Sequence, residues 1–159
     1  MLEGAIMKTK IIMTIDNLEN IPYYKLPEGY SFRYFQKGDE YIWSEIEFLA
    51  GEFKTKQDAL NRFKKEFNEK TELLEKRCIF LLNEQNQPIG TVMAWENGRI
   101  HWVAIIPSYQ GKGLSKPLLS KALYVLKKHY DNAYLTTQSS NHRAIGLYRK
   151  FGFEIKKAP

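Results

Sequence analysis

A single cysteine, Cys78, is all the chain contains, so no internal disulfide can form and no zinc site can be built from thiolates. It stands in the apolar run Cys78-Ile79-Phe80-Leu81-Leu82, where a small buried thiol is the expected role. That usage fits a reducing compartment, the cytoplasm. No stretch approaches the ~18 consecutive apolar residues of a membrane span, and no long apolar core of a secretion signal opens the chain. Met7 reads as a native start behind a short leader. Blocks of like charge are also missing. Lys and Arg outnumber Asp and Glu by 24 to 18, a net charge of +6, but the lysines are interleaved with acids, as in Phe63-Lys64-Lys65-Glu66. The excess therefore reads as solvated helix faces, with neither a nucleic-acid stripe nor a membrane-binding patch. The three histidines, His101, His129 and His142, have no metal-ligand spacing. What remains is an ordinary globular composition, 43% hydrophobic over 159 residues, enough for one domain that buries its own core.

The pattern along the chain predicts a mixed α/β fold without internal repeats. Residues 1–29 are loosely patterned and read as an N-terminal extension, with Ile11 to Ile15 an edge strand. Tyr30 to Phe35 alternates and is rich in strand formers. Asp39 caps a helix to about Leu49, Gly51 ends it, and a second helix spans Lys56 to Glu69 with Leu60, Phe63 and Phe67 on one stripe. Lys76 to Leu82 and Pro88 to Glu96 read as strands. Asn97-Gly98 is a two-residue hairpin signal, because both central residues must take positive φ, and Arg99 to Ile106 is the returning strand. A long helix from Gly113 to Tyr130, a strand from Ala133 to Thr137, a helix from Asn141 to Lys150 and a last strand at Phe153 follow. Strand, helix and strand from 99 to 137 form a crossover unit, which makes two neighbouring strands parallel.

Two segments carry chemistry. In Ile105-Ile106-Pro107-Ser108-Tyr109-Gln110-Gly111-Lys112-Gly113-Leu114-Ser115 a strand ends, a glycine-rich turn follows and a helix begins. Free N–H groups at a helix start attract anions, and glycines let backbone approach them closely. Lys112 adds a positive charge. A phosphate-binding turn is the functional reading; a plain strand-to-helix loop is the other. The P-loop is excluded because its spacing requires a glycine where Ile106 stands, and the dinucleotide fingerprint because Lys116 occupies its third glycine. In the second segment, Asn141-His142-Arg143-Ala144-Ile145-Gly146-Leu147-Tyr148-Arg149-Lys150-Phe151-Gly152-Phe153, Asn141 and Tyr148 lie two helical turns apart, ~10 Å along one face. They could bracket an extended ligand, or serve as an N-cap and a core aromatic.

Together the two segments resemble the GNAT superfamily of N-acetyltransferases. The family's coenzyme motif is Gln or Arg, two residues, Gly, one residue, then Gly or Ala; Gln110-Gly111-Lys112-Gly113-Leu114-Ser115 follows it, with Ser115 in place of the final small residue. Asn141, Ala144, Tyr148, Phe151, Gly152 and Phe153 match the later motif. The resemblance is specific over about residues 88–155 and architectural before that. It implies a mostly antiparallel central sheet with a parallel strand-helix-strand unit and about four helices, forming a single acyl-CoA N-acyltransferase domain. Backbone groups of Ala104 and Ile105 would pair with the pantetheine arm of acetyl-CoA, a co-substrate used without any metal. N–H groups from Gly111 through Lys112, Gly113 and Leu114 to Ser115 would hold the pyrophosphate, with Gln110 heading the motif. Asn141 would contact the pantetheine, and Tyr148 would protonate the leaving thiolate.

The general base is less determined. Arg99 stands where histone-type members carry a glutamate. On a period of two, Arg99, His101, Val103 and Ile105 face one side, which makes His101 a candidate base, directly or through water. An ordinary hydrogen-bonded strand residue is the competing role, and Glu96 is the other candidate base. The segment 30–70, with Tyr41, Trp43, Glu45, Glu47 and Glu52, is expected to wall the acceptor cleft. Its acids suit a cationic amine, small molecule or protein, but helix-face solvation explains them equally well. The resemblance is also compatible with a homodimer, and with a second reading: a domain that senses acyl-CoA without turnover.

Overall fold

The computed structural model describes residues 9–156; the expected start at Met7 lies outside the described residues. Seven strands form one sheet: β1 (Lys10–Ile15), β2 (Ser31–Tyr34), β3 (Cys78–Leu82), β4 (Pro88–Trp95), β5 (Arg99–Ile105), β6 (Ala133–Gln138) and β7 (Glu154–Ile155). Their order is β2-β3-β4-β5-β6-β1-β7. Five helices surround the sheet, one more than expected: α1 (Glu40–Leu49), α2 (Lys56–Phe67), α3 (Thr71–Arg77), α4 (Ser115–Lys127) and α5 (His142–Phe151). Every neighbouring strand pair is antiparallel except β5 with β6, as the crossover through α4 requires. None of the described helices is long and apolar enough to cross a membrane.

The sheet separates two cores of different composition. On one face Phe35, Trp43, Phe63, Phe67, Phe80 and Trp95 pack with Met93 and Ala104. Trp43 of α1 is the hub, its ring centroid 5.1 Å from Phe63 and 5.3 Å from Trp102. The other face is aliphatic: Leu118, Leu119, Ala122, Leu123 and Leu126 of α4 pack on Ile79, Val92, Ile100 and Leu135. All five residues of β3 are buried, because helices cover it on both sides and no alternation is needed. Cys78 is fully buried in this strand, and desolvation pushes its thiol pKa up to about 12.

Four local expectations need correction. The stretch before Cys78 is helix, not strand: Thr71 to Arg77 contains good helix formers around a buried Leu74. The N-terminal strand is not at the edge. β1 lies between β6 and β7, and Met13, Ile15, Leu18 and Ile21 enter the aliphatic core, so this extension is part of the fold. Third, the long helix begins at Ser115 rather than Gly113, since Gly111 and Gly113 both have φ of 76°, which no right-handed helix accepts.

The fourth correction concerns β5. Its register against β4 shifts between Thr91 and Met93, and Trp102 takes φ of 51°. This bulge inserts one residue and inverts the alternation after it. Ile100, Val103 and Ile105 face the aliphatic core, while Trp102 and Ala104 join the aromatic side. His101, in ring contact with Phe67 and Trp102, lies on that aromatic side too. Thus His101 does not share a face with Val103 and Ile105.

Asn97 and Gly98 both take positive φ as expected, 63° and 79°, but Trp95 pairs with Arg99, so the connection has three residues, Glu96 to Gly98, rather than two. A Cβ on Gly98 would stand 2.6 Å from the Asn132 carbonyl oxygen. Gly98→Ala should therefore cost about 2 kcal/mol, read as a lower urea midpoint with an unchanged m-value.

Candidate active site

β5 and β6 pair at a single position, Arg99 with Tyr134. Beyond it the two strands share no further registered pair, and the gap they leave runs toward the turn that starts α4. The Ile106 N–H donates to the Ile89 carbonyl on β4, 3.0 Å. By the alternation of antiparallel pairing, Ala104, opposite Thr91, is committed to β4, whereas the backbone of Ile105 faces the gap. Ala104 and Ile105 are therefore not equivalent. Ile105, together with Val103 two residues upstream, presents the gap-facing strand edge. The side-chain amide of Gln110 donates to the Ile105 carbonyl, 2.8 Å, and so clips the turn onto the end of β5.

At the turn itself, ideal Cβ atoms on Gly111 and Gly113 would meet nothing within 4 Å. The glycines are needed for their backbone conformation and leave open space in front of it. Leu114 is the N-cap residue of α4, and no side chain caps that helix start. Its first N–H groups are thus available to an anion, aligned with the helix dipole. The ammonium of Lys112 lies 5.0 Å from the Tyr109 ring centroid and that of Lys116 5.2 Å from Tyr24, so two cations flank the turn. Ser115 is the first helical residue, adding no side-chain bulk beyond its hydroxymethyl.

Asn141 caps α5, its side-chain oxygen accepting from the Ala144 N–H at 3.2 Å. It is exposed and lies outside the helix proper. Tyr148 is half-buried, with its ring 6.1 Å from Phe153 in an edge arrangement. Burial raises its pKa, and the charge of Glu52, in the α1–α2 connection, raises it further. Tyr148 and His101 stand on different elements, α5 and β5, and neither is the other's hydrogen-bond or ring partner.

His101 Nε2 is hydrogen-bonded to the Glu66 carboxylate of α2, and the indole N–H of Trp102 donates to the same carboxylate at 3.2 Å. Arg62 pairs with Glu66 one turn earlier on α2, 3.3 Å. Glu66 is thus more than one acid of a solvated, lysine-rich face. Burial is the largest influence on His101 and lowers its pKa, and the hydrogen bond and charge of Glu66 oppose it. Burial alone would raise the Glu66 pKa, but His101, Trp102 and Arg62 outweigh it, so the carboxylate is held low. An ionised Glu66 at Nε2 keeps the proton on that nitrogen, which leaves the Nδ1 lone pair as the basic site. Glu96, the other candidate base, is exposed and pairs with Lys70 at 3.0 Å. His129 and His142 are exposed.

Among the described residues no three His, Cys, Asp or Glu side chains are arranged to hold a metal. A concavity of about 440 Å³ lined by Asp16, Asn17, Glu19, Lys127 and Tyr130 lies at the C-terminal end of α4. It is separated from the glycine turn by the length of that helix, ~20 Å, and contains none of the residues above.

The chain that carries this site is similar to known proteins over most of its length. The profile of the Acetyltransferase (GNAT) family matches residues 33–153, and the chain belongs to that family. It is 27% identical over 135 residues to a mycothiol acetyltransferase of Streptomyces griseus, covering 80% of this chain and 44% of the relative. It is 37% identical over 76 residues to the [ribosomal protein bS18]-alanine N-acetyltransferase of Haemophilus influenzae, covering 45% of this chain and 51% of the relative. The matched region thus spans about half the length of these curated relatives. A GCN5-related N-acetyltransferase from Sphaerobacter thermophilus superposes with a TM-score of 0.72 at 22% identity, over 94% of this chain and 49% of that one, a likeness of fold.

Because both effects of Glu66 on His101 act upward, Glu66→Gln should move the imidazole midpoint to lower pH than in the wild type. Proton NMR titration of the His101 ring reads this directly; an upward or absent shift would break the pairing.

Proposed function

We propose that the chain is an N-acetyltransferase that takes an acetyl group from acetyl-CoA and passes it to a primary amine, on a small molecule or on a protein. The observation that carries this reading is the α4 turn, where positive-φ glycines with open space in front precede a helix start that no side chain caps. That cradle fits a pyrophosphate. N–H groups from Gly111 to Ser115 would bind it, and Lys112 would add charge from the side. The gap-facing edge of β5 at Val103 and Ile105 would accept the pantetheine arm as an added strand, with Ala104 contributing only its small side chain to the wall. The Asn141 side-chain NH₂, whose oxygen is taken by Ala144, would donate to that arm. The family's acetyltransferase relatives support the donor, and the N-acetyltransferases among them support the amine.

Binding energy from the remote phosphates would hold the thioester carbonyl in place for attack. In the reaction the amine nitrogen bonds to the carbonyl carbon and the carbon–sulfur bond breaks. The amine's proton passes to His101 Nδ1, directly or through water, with Glu66 orienting the ring. The phenol of Tyr148 supplies a proton to the departing sulfur. Its raised pKa keeps the phenol protonated at neutral pH, as a general acid requires.

Two variants test the two halves of this scheme. Gly113→Glu, which fills the open turn and brings a negative charge to it, should abolish acetyl-CoA binding in isothermal titration; retained affinity would move the coenzyme site elsewhere. Tyr148→Phe should leave acetyl-CoA affinity unchanged and lower kcat by about 10²-fold in a thiol-release assay. Acetyl-CoA binding by the wild type without thiol release to any amine would instead make the chain a sensor.

A further inference from the structure

The acids of segment 30–70 separate into two kinds. Glu45 is exposed and paired with Lys56 at 3.2 Å, so solvation accounts for it. Glu47 is 0% exposed, and neither carboxylate oxygen has a hydrogen-bond partner among the described residues. On the preceding turn of the same helix the indole N–H of Trp43 is also buried without a partner there. Buried polar groups are nearly always satisfied, and a lone buried carboxyl is among the costliest exceptions. An unused acceptor and an unused donor thus stand on successive turns of one helix face, with no described residue satisfying either.

Position gives the pair a chemistry. α1 packs on β4 and β5, the strands that carry the bulge and the gap-facing edge. The N–H of Glu52 donates to the Glu47 carbonyl at 3.0 Å, which ties the exposed Glu52 to the turn of α1 holding Glu47. The charge of Glu52 is felt at both Glu47 and Tyr148. Glu52 is thus within charge range of the proposed acid, and leads from the Glu47 turn of α1 outward to solvent. The charge of exposed Glu52 attracts a cation and repels an anion, and a cation arriving beside buried Glu47 would favour its ionised form.

We propose that Glu47 receives the ammonium group of the acceptor, with Glu52 drawing it in, and that this makes the site selective for alkylamines over neutral amines. The proposal rests on the N-acetyltransferase reading. Burial, and then the charge of Glu52, push the Glu47 carboxyl well above its usual range, a shift that an ammonium group beside it would oppose. Glu47 is an acceptor-binding residue here; proton removal stays with His101.

The test compares the wild type with Glu47→Gln, a neutral isostere, and with Glu45→Gln, the same charge change on the exposed face. n-Butylamine and spermidine serve as cationic probes and aniline, uncharged at neutral pH, as the neutral one. Affinity is first read by NMR titration of the free protein, which needs no coenzyme, and then as KM with acetyl-CoA. Glu47→Gln should weaken the cationic probes roughly ten- to hundredfold, the worth of a charge-assisted hydrogen bond. Aniline binding, acetyl-CoA affinity and Tm should not fall, and Glu45→Gln should change nothing. Equal affinity of wild type and Glu47→Gln for the cationic probes would overturn the proposal, as would a lowered Tm as the only effect, or no detectable binding of either cation to the wild type. Acetyl-CoA that fails to bind would end the transferase reading, and is measured separately from amine binding.

Discussion

The bulge at Trp102 is the constraint on which the rest of this site depends. A bulky residue in left-handed backbone costs about 1–3 kcal/mol, and it persists only because its surroundings hold it there. Trp43 packs edge-on against the Trp102 ring and Phe53 stacks on it at 5.6 Å. Arg62 lies over it at 5.4 Å, and Glu66 accepts its indole N–H. These contacts come from α1, α2 and the connection between them, so the first half of the chain fixes the backbone of the second. The consequence is a change of parity along β5. His101 is delivered to the aromatic layer, while Val103 and Ile105 are delivered to the aliphatic one, with their backbone edge turned away from β4.

That change of parity divides the labour of the site. The aliphatic face supports α4, whose start is left open at Gly111 and Gly113 and is therefore suited to an extended anion. The aromatic face carries acids: Glu66, satisfied by His101, Trp102 and Arg62, and Glu47, satisfied by no described residue. Two carboxylates on neighbouring helices thus have opposite electrostatic fates. Glu66 is held ionised by three partners, whereas Glu47 is driven toward its neutral form by burial and by a like charge. Such a split suits a site in which one acid orients a base and another meets an incoming cation.

Much of the fold was legible in local sequence. The Asn97-Gly98 hairpin, the helix ends at Gly51 and Gly152 and the crossover from β5 to β6 depend on turn chemistry and periodicity, which act over a few residues. The turn at Gln110 to Ser115 was legible for the same reason, since its glycines answer a backbone requirement within the segment. α3 was missed because seven residues hold barely two turns of helix, too short for a period to show against a neighbouring strand. The interior place of β1 was hidden because an edge strand and a penultimate one differ only by the two residues of β7 that cover it.

By itself the sequence determined the order of the elements apart from α3, the anion-suited turn and the presence of Tyr148 on the helix after β6, because each rests on short-range geometry and chain direction. Only the tertiary structure decided which side His101 faces, that Glu66 becomes its partner from 35 residues away, and that Glu47 is buried without a partner among the described residues while Glu45 is solvated. Those outcomes depend on which surfaces meet when α1 and α2 close over the sheet. A carboxylate's chemistry is set by the water and partners it loses in that closure, and neither can be read from its own neighbours in the chain.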